Sequence, residues 1–113
     1  MDVEKTVTQR GFGLYKFLDR YGNGCSLQDS SLAEESAIWL GIDDPDPKIM
    51  CSDASKLKVN RQSENGWQPF YIPEEVQINT RMHLTQDQVK ALLPVLQYFA
   101  ETGNYIKEFE EEN

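Results

Sequence analysis

The sequence predicts an α+β fold, in which an antiparallel sheet of about four strands carries a long amphipathic C-terminal helix packed on one face. Three observations predict it: short runs of strand-forming residues recur along the chain, glycine and proline clusters separate them, and a long apolar repeat of helical period closes it. With 113 residues the chain is typical of one domain. We expect residues 1–113 to form it, with 1–10 as a loose lead-in and 104–113 as an acidic tail.

The first two strands are predicted on either side of the tripeptide "GNG". Residues 12–21 place apolar and aromatic side chains on both sides of an extended strand, and residues 25–30 can pair with them. Asn-Gly favours a type I′ turn because both central residues of that turn need positive φ. We therefore predict a hairpin that turns at Asn23-Gly24.

The run "AIWLGI" predicts the third strand by its β-branched and aromatic content. Alternation puts Ile38, Leu40 and Ile42 on one face and Trp39 on the other. The following "DDPDPK" predicts a loop, because proline restricts the residue before it and donates no ladder bond.

Residues 52–75 predict irregular structure. "SDASKLKV" can form one or two helical turns, for which Ser52 is the expected N-cap. Residues 58–75 alternate weakly, turn at Asn65-Gly66 and contain two prolines, which predicts an excursion or an edge hairpin.

The last strand and the helix carry the clearest signals. Residues 76–84 alternate apolar and polar side chains, as a half-buried strand does. Thr85 and Gln88 have the spacing of a capping box, and Gly103 is a typical helix end. Pro94 predicts a bend. The apolar stripe of this helix consists of Val89, Leu92, Leu93, Leu96, Phe99 and Ala100.

Charge excludes some classes of function. The net charge is −8, and residues 25–47 hold six acidic side chains and no basic one. A nucleic-acid-binding protein needs clustered Lys and Arg, so direct contact with DNA or RNA is not expected. No apolar run is long enough to span a bilayer, and two distant cysteines suit a reducing compartment. We expect a cytoplasmic protein without membrane contact.

Three segments resemble a group of small proteins encoded by bacteriophages and prophages: "GFGLYKFLDRYG", "SLQDSSLAEESAIWLG" and "RMHLTQDQVKALLPVLQYFAETG". In that group a Tyr-Gly hairpin, a Gln-x-Ser-Ser segment, a tryptophan strand and a His-Leu-Thr helix recur in this order. The resemblance covers residues 11–103 and implies an origin in a mobile element, with a bacterial host cell as the site of action. It implies no activity and no catalytic residues.

No catalytic or metal site is predicted. Ser30 and Ser31 lack the flanking glycines of a nucleophile turn, and their acidic neighbours oppose an oxyanion. We expect their hydroxyls to end one strand and bond the backbone of the next turn. His83 is the single histidine, expected on the strand surface; a dyad with Cys25 would require neighbouring strands. The aspartates of "DDPDP" fail the calcium-loop spacing, so no metal or other cofactor is expected.

The charge pattern favours a non-enzymatic binding protein that makes stoichiometric contact with a host or phage protein bearing a basic surface. Inhibition of a bacterial defence nuclease would be one such use. The alternatives are a binder of a small nucleotide-like ligand, with Ser30, Ser31, Trp39 and Arg81 lining a pocket, and an accessory phage protein. The candidate binding residues are Ser30, Ser31, Glu34, Glu35, Trp39, Asp43, Asp44, Asp46, Trp67 and Arg81.

Self-association is a further expectation. The helix stripe, widened by Val95 and Tyr98, covers more than one sheet needs. A homodimer would use the remainder.

Overall fold

The protein is α+β, and the computed structural model describes its residues 2–104. Five strands form one antiparallel sheet in the order β1-β2-β3-β4-β7, two short strands pair separately, and one helix follows β7. The elements are β1 Glu4–Val7, β2 Gly13–Leu18, β3 Gly24–Asp29, β4 Ala37–Ile42, β5 Lys48–Met50, a 3₁₀ helix Cys51–Leu57, β6 Trp67–Pro69, β7 Arg81–Thr85 and α1 Gln86–Thr102.

The N-terminal lead-in differs from the prediction, because residues 4–7 form β1 at the edge of the sheet. The turn before β2 holds it there. The backbone N–H of Phe12 donates to Thr8 Oγ1 at 3.0 Å, and Gly11 takes a φ of +87°. Sheet pairing thus comes from backbone bonds at this edge and not from an apolar pattern.

The β2–β3 hairpin forms as predicted, but its turn is different. Leu18 pairs with Gly24, so the connection spans residues 19–23 and the positive φ belongs to Gly22, at +83°. The carboxylate of Asp19 accepts from the backbone N–H groups of Tyr21 and Asn23, both at 2.9 Å. This carboxylate organises a longer loop in place of the type I′ turn at Asn23-Gly24.

The register divides the sheet into two unlike faces, because residues directly opposite each other on antiparallel strands project to the same side. We call one the polar face and the other the apolar face. The polar face carries Lys16, Ser26, Gln28, Trp39, Arg81 and His83, with Leu14 among them. The apolar face carries Tyr15, Phe17, Cys25, Leu27, Ile38, Leu40, Ile42, Met82 and Leu84, with the charged residues Lys5 and Asp29 at its margins. The predicted facing of β4 is confirmed.

The excursion between β4 and β7 has a small core of its own. Cys51 and Ala54 of the 3₁₀ helix are buried, as is Gln68 of β6. The Gln68 amide donates to the Asn60 carbonyl and accepts from the Gln62 N–H, each at 2.9 Å. The predicted Ser52 cap is wrong, since the helix begins after Met50 and has no side-chain cap.

The last strand is shorter than predicted, starting at Arg81 and not at residue 76. Directly after it, α1 begins with the predicted capping box, in which the Gln88 N–H donates to Thr85 Oγ1 at 3.2 Å and the Thr85 N–H donates to Gln88 Oε1 at 2.9 Å. Gly103 ends it in the left-handed region, at φ +78°.

The expected packing of α1 across the sheet is wrong for the described chain. Of the strands, α1 adjoins chiefly β7, and none of its side chains is buried. Among residues 2–104, no helix is long and apolar enough to cross a membrane. The predicted acidic tail lies, from residue 105 onward, outside the described residues.

Candidate functional site

The polar face carries a hydrogen-bonded cluster built around Arg81. The Arg81 side chain extends from β7 across β4 to β3. There its Nη1 donates to Gln28 Oε1 at 2.9 Å. The same nitrogen lies 3.5 Å from Ser26 Oγ. The guanidinium carbon stands 5.7 Å from the centre of the Trp39 ring, within cation–π range. Arg81 thereby joins the last strand to the middle of the sheet.

This crossing depends on Gly41, which lies between Ser26 and Arg81 in the cross-strand row. A Cβ on Gly41 would stand 2.8 Å from Arg81 Cα and 3.3 Å from Arg81 Cγ, and it would also collide with the Thr80 carbonyl oxygen. A strand glycine of this kind marks a close approach of another segment. Because Gly41 has no side chain, the Arg81 side chain has room to extend over β4 and reach β3.

Asp43 completes the cluster beyond β4. Ser26 Oγ donates to Asp43 Oδ1 at 2.6 Å, and Lys16 Nζ lies 3.0 Å from Asp43 Oδ2. The Ser26 hydroxyl, and then the Lys16 ammonium, hold the pKa of Asp43 below its usual value against the raising effect of partial burial. Asp43 is therefore a charged, internally paired group.

A second cluster lies beside the first. The His83 imidazole stacks on the Trp39 indole, with centroids 3.9 Å apart, and His83 Nε2 lies 3.0 Å from Ser30 Oγ. Ser30 Oγ also accepts from the Leu32 N–H at 3.2 Å, which confirms the predicted backbone-bonding role for Ser30. Ser30 and His83 have nucleophile–base spacing, yet no carboxylate in residues 2–104 contacts the imidazole to orient it.

Next to Trp39 the polar face opens into a groove of about 370 Å³ between the β1–β2 turn and the start of the β3–β4 loop. Arg10 stands at this end, its guanidinium carbon 5.7 Å from the Phe12 ring centre. Within the described chain, no carboxylate pairs with Arg10 or Arg81. The groove is lined by Thr8, Gln9, Arg10, Phe12, Gln28, Ser31 and Trp39. Its walls thus combine aromatic surface, hydroxyls, amides and a cation.

The structure brings together four of the predicted site residues. Ser31 and Trp39 line the groove, Arg81 lies against Trp39, and Ser30 meets His83. These are the four residues that the small-ligand alternative named.

The predicted acidic residues do not form one surface. Asp43 is paired with Lys16, and Asp46 with Lys48 at 3.1 Å, whereas Asp44 is exposed. Glu34 and Glu35 are exposed in the β3–β4 loop, beside a cavity on the apolar side. Trp67 is 66% exposed on β6, away from Trp39. Among the described residues, no group of three metal-ligating side chains is found.

The conditional Cys25–His83 dyad does not form. Cys25 lies on β3 and on the apolar face, two strands away from His83 on the polar face. Both cysteines are unpaired and buried. Burial, and then the charges of Asp19 and Asp43, raise the pKa of the Cys25 thiol, so it is a poor nucleophile.

Sequence reasoning missed Gly41, Ser26, Lys16 and Arg10 as parts of the site. A glycine inside the strand run "AIWLGI" is a signal of close approach that was available. Lys16 and Ser26 carry no local signal, because only the strand register brings them near Arg81. Arg10 carries none either, because it lies in the β1–β2 turn and reaches the groove beside Trp39 only in the folded chain.

Comparison of the chain with protein-family models, with curated proteins and with solved structures finds no match in any of the three. The resemblance to phage proteins therefore stays a prediction.

Proposed function

We propose that the protein is a non-enzymatic binding protein that holds a planar, anionic ligand of nucleotide type on the polar face. The observation that carries this proposal is the groove that Trp39 and Arg10 line, with Arg81 against the same indole. Aromatic rings bind planar bases by stacking, and arginine recognises phosphate through paired N–H donors.

The charge distribution supports this position for an anion. In a chain of net charge −8, the polar face brings Lys16 and Arg81 together, and Arg10 lies at the groove. The one carboxylate in the cluster, Asp43, is paired with Lys16. A volume of about 370 Å³ falls within the range of small-ligand sites. The larger cavity, of about 660 Å³, has acidic side chains at Asp29, Glu34 and Glu35, which oppose an anion.

Isothermal titration and thermal unfolding with the four nucleoside monophosphates test the proposal. An uncharged nucleoside and inorganic phosphate are titrated in separate experiments. Their affinities show how much of the binding comes from the ring and how much from the phosphate. We expect a monophosphate to raise the melting temperature, since a ligand bound only to the folded state stabilises by mass action. Unchanged melting with all four at millimolar concentration would refute the proposal.

Matched variants locate the site. Trp39→Leu and Arg10→Gln should each weaken binding about tenfold or more, as expected for loss of a stacking or charged contact. Trp67→Leu and Arg20→Gln change the same residue types elsewhere on the surface and should leave affinity unchanged. If Trp67→Leu and Arg20→Gln lowered the affinity as much as the groove variants do, the groove would not be the binding site.

A second candidate function is stoichiometric contact with a basic host or phage protein through the β3–β4 loop. Glu34 and Glu35 favour it, because both are exposed and neither is ion-paired within residues 2–104. The partner captured from a bacterial lysate should be lost on Glu34→Gln/Glu35→Gln and released by salt. The control is Glu74→Gln/Glu75→Gln, an adjacent exposed pair in the excursion. If the amount of captured partner changed neither with the loop substitution nor with added salt, this candidate function would be contradicted.

A further inference from the structure

A cavity of about 660 Å³ lies on the apolar side of the sheet, between the β3–β4 loop and the start of α1. Its volume falls within the range of about 300–1,000 Å³ that is typical of ligand pockets. Its floor is the directly opposed pair Ile38 and Leu84, from β4 and β7. Val89 and Leu93 form one wall, because residues four apart share a side of the helix. The base of the cavity is therefore apolar.

The β3–β4 loop forms the opposite wall of this cavity and is held in place by backbone bonds. The Ser30 N–H donates to the Ala37 carbonyl at 3.0 Å, which closes the loop at its base. The Gln86 N–H donates to the Ser36 carbonyl at 3.3 Å, which ties the end of the loop to the first residue of α1. The capping box at Thr85 fixes the same junction from the helix side. The chain itself therefore positions both walls, which lowers the cost of ordering them when a partner binds.

The charged part of the cavity lining is acidic. Asp29, Glu34 and Glu35 line the cavity, and all three are exposed. Lys90 is the one cation among the lining residues, and in residues 2–104 no ion pair joins it to these carboxylates. An uncharged molecule in the cavity would take water away from the carboxylates without pairing them, which is unfavourable. The occupant that fits must therefore supply cationic groups as well as apolar surface.

Charge complementarity separates the possible occupants of the cavity. Another copy of this chain brings a net charge of −8, and the sequence of residues 105–113 holds four glutamates and one lysine. Both bring like charge to the carboxylates of the lining. A basic protein brings the opposite charge, and each of its lysine or arginine side chains carries the cation on an apolar stem. A basic segment with an apolar side chain therefore matches the floor and the charged lining together.

We propose that the cavity between the β3–β4 loop and α1 is a docking site for a basic amphipathic peptide segment of a partner protein. An apolar side chain of the segment packs on Ile38 and Leu84, against Leu93 of α1. Neighbouring lysine or arginine side chains pair with Glu34 and Glu35. This inference rests on the second candidate function, contact with a basic protein through the β3–β4 loop, and adds an apolar anchor and a helix wall to that contact.

Three synthetic peptides, titrated with the full chain by fluorescence anisotropy, test the chemistry of the occupant. The probe is a short capped peptide of leucine and lysine. A second peptide has serine in place of leucine, and a third has glutamate in place of lysine. We expect the leucine–lysine peptide to bind about tenfold more tightly than the serine–lysine peptide, and the leucine–glutamate peptide not to bind. Absence of binding by the leucine–lysine peptide would overturn the proposal. Equal affinity of the two lysine peptides would overturn it as well, yet leave the second candidate function standing.

Helix variants locate the binding of the leucine–lysine peptide. Leu93→Gln removes apolar surface from the wall of the cavity and should weaken binding about tenfold. Leu92→Gln is the matched control, because Leu92 is the adjacent leucine of α1 and does not line the cavity. Since no α1 side chain is buried, both variants should keep the circular dichroism of the parent chain. Equal weakening by the two substitutions would overturn the site.

The loop carboxylates are tested in the same assay. Glu34→Gln/Glu35→Gln should lower the affinity about fivefold and reduce its dependence on salt, because two ion pairs are lost. Glu74→Gln/Glu75→Gln, in the excursion, should leave both unchanged. Equal effects of the two double variants would show general attraction to an acidic protein and overturn the proposal. The nucleotide groove lies on the polar face and this cavity on the apolar side, so the two proposals can fail independently.

Discussion

The His83 imidazole stacks on the Trp39 indole with ring centroids 3.9 Å apart and planes 4° apart. The two residues lie directly opposite each other on β7 and β4, two strands that are separated by the 38 residues 43–80. The stack therefore fixes the last strand, and with it the start of α1, to the centre of the sheet. It also places the indole beside the groove on the polar face.

The stacking of His83 on Trp39 should contribute a measurable coupling to the free energy of unfolding. Aromatic pairs contribute about 0.5–1.5 kcal/mol beyond their buried area, and we expect a coupling of that size between Trp39→Leu and His83→Ala in a double-mutant cycle by urea unfolding. His83→Ala also removes the contact with the Ser30 hydroxyl. The loss of unfolding free energy in Ser30→Ala, measured alone, gives the size of that contribution. Additive losses in the cycle would mean that the stack contributes nothing to stability.

Gly41 should tolerate no side chain. Gly41→Ala places Cβ against the backbone at Thr80 and Arg81, and we expect a loss of about 1–3 kcal/mol in the free energy of unfolding. Gly13→Ala is the matched control, since Gly13 is also in a strand and no atom lies within 4 Å of its added Cβ. Equal stability of the two variants would contradict the close approach across β4.

Local signals in the sequence predicted much of the sheet and both ends of α1. The alternation in "AIWLGI" is a property of the strand itself, and the capping box needs only the spacing of Thr85 and Gln88. The α+β class, with an antiparallel sheet and a C-terminal helix, was confirmed because it depends on such patterns. The same patterns located Trp39 on the face opposite Ile38 and Leu40.

Non-local relations were not available from one sequence. The contact of Arg81 with Gln28 requires the pairing of β7 with β4 and the gap at Gly41, both set by register. The stripe predicted for α1 from its sequence period does not say which surface would meet it. At the β2–β3 connection, the Asn-Gly pair favoured a two-residue turn, whereas the Asp19 carboxylate could accept bonds from a longer loop. The structure has the longer loop, in which Asp19 accepts from the N–H groups of Tyr21 and Asn23.

The stability contributed by Asp43 should depend on pH. Its pKa is lowered in the folded chain, so the folded state binds this proton less readily than the unfolded state. The contribution is complete above the usual carboxyl pKa and is lost as the pH falls through the lowered value. Asp43→Asn should therefore cost about 1 kcal/mol at neutral pH and progressively less on acidification.

Urea unfolding across this acid range measures the difference between wild type and Asp43→Asn. Asp44→Asn serves as the control, because Asp44 is the adjacent exposed carboxylate. A difference that stays constant down to strongly acidic solution would show that the bonds from Ser26 and Lys16 do not depend on the charge of Asp43.

The capping box should control the stability of α1 more than that of the sheet. Thr85→Ala removes the acceptor for the Gln88 N–H, at a cost of about 1 kcal/mol to the helix. Because no α1 side chain is buried, packing within the chain does not compensate, and amides in the first turn should exchange hydrogen about fivefold faster. Thr85→Ser keeps a hydroxyl and should restore protection. Unchanged exchange in Thr85→Ala, measured by mass spectrometry with β3 peptides as the internal reference, would show that contacts other than the cap hold the junction between β7 and α1.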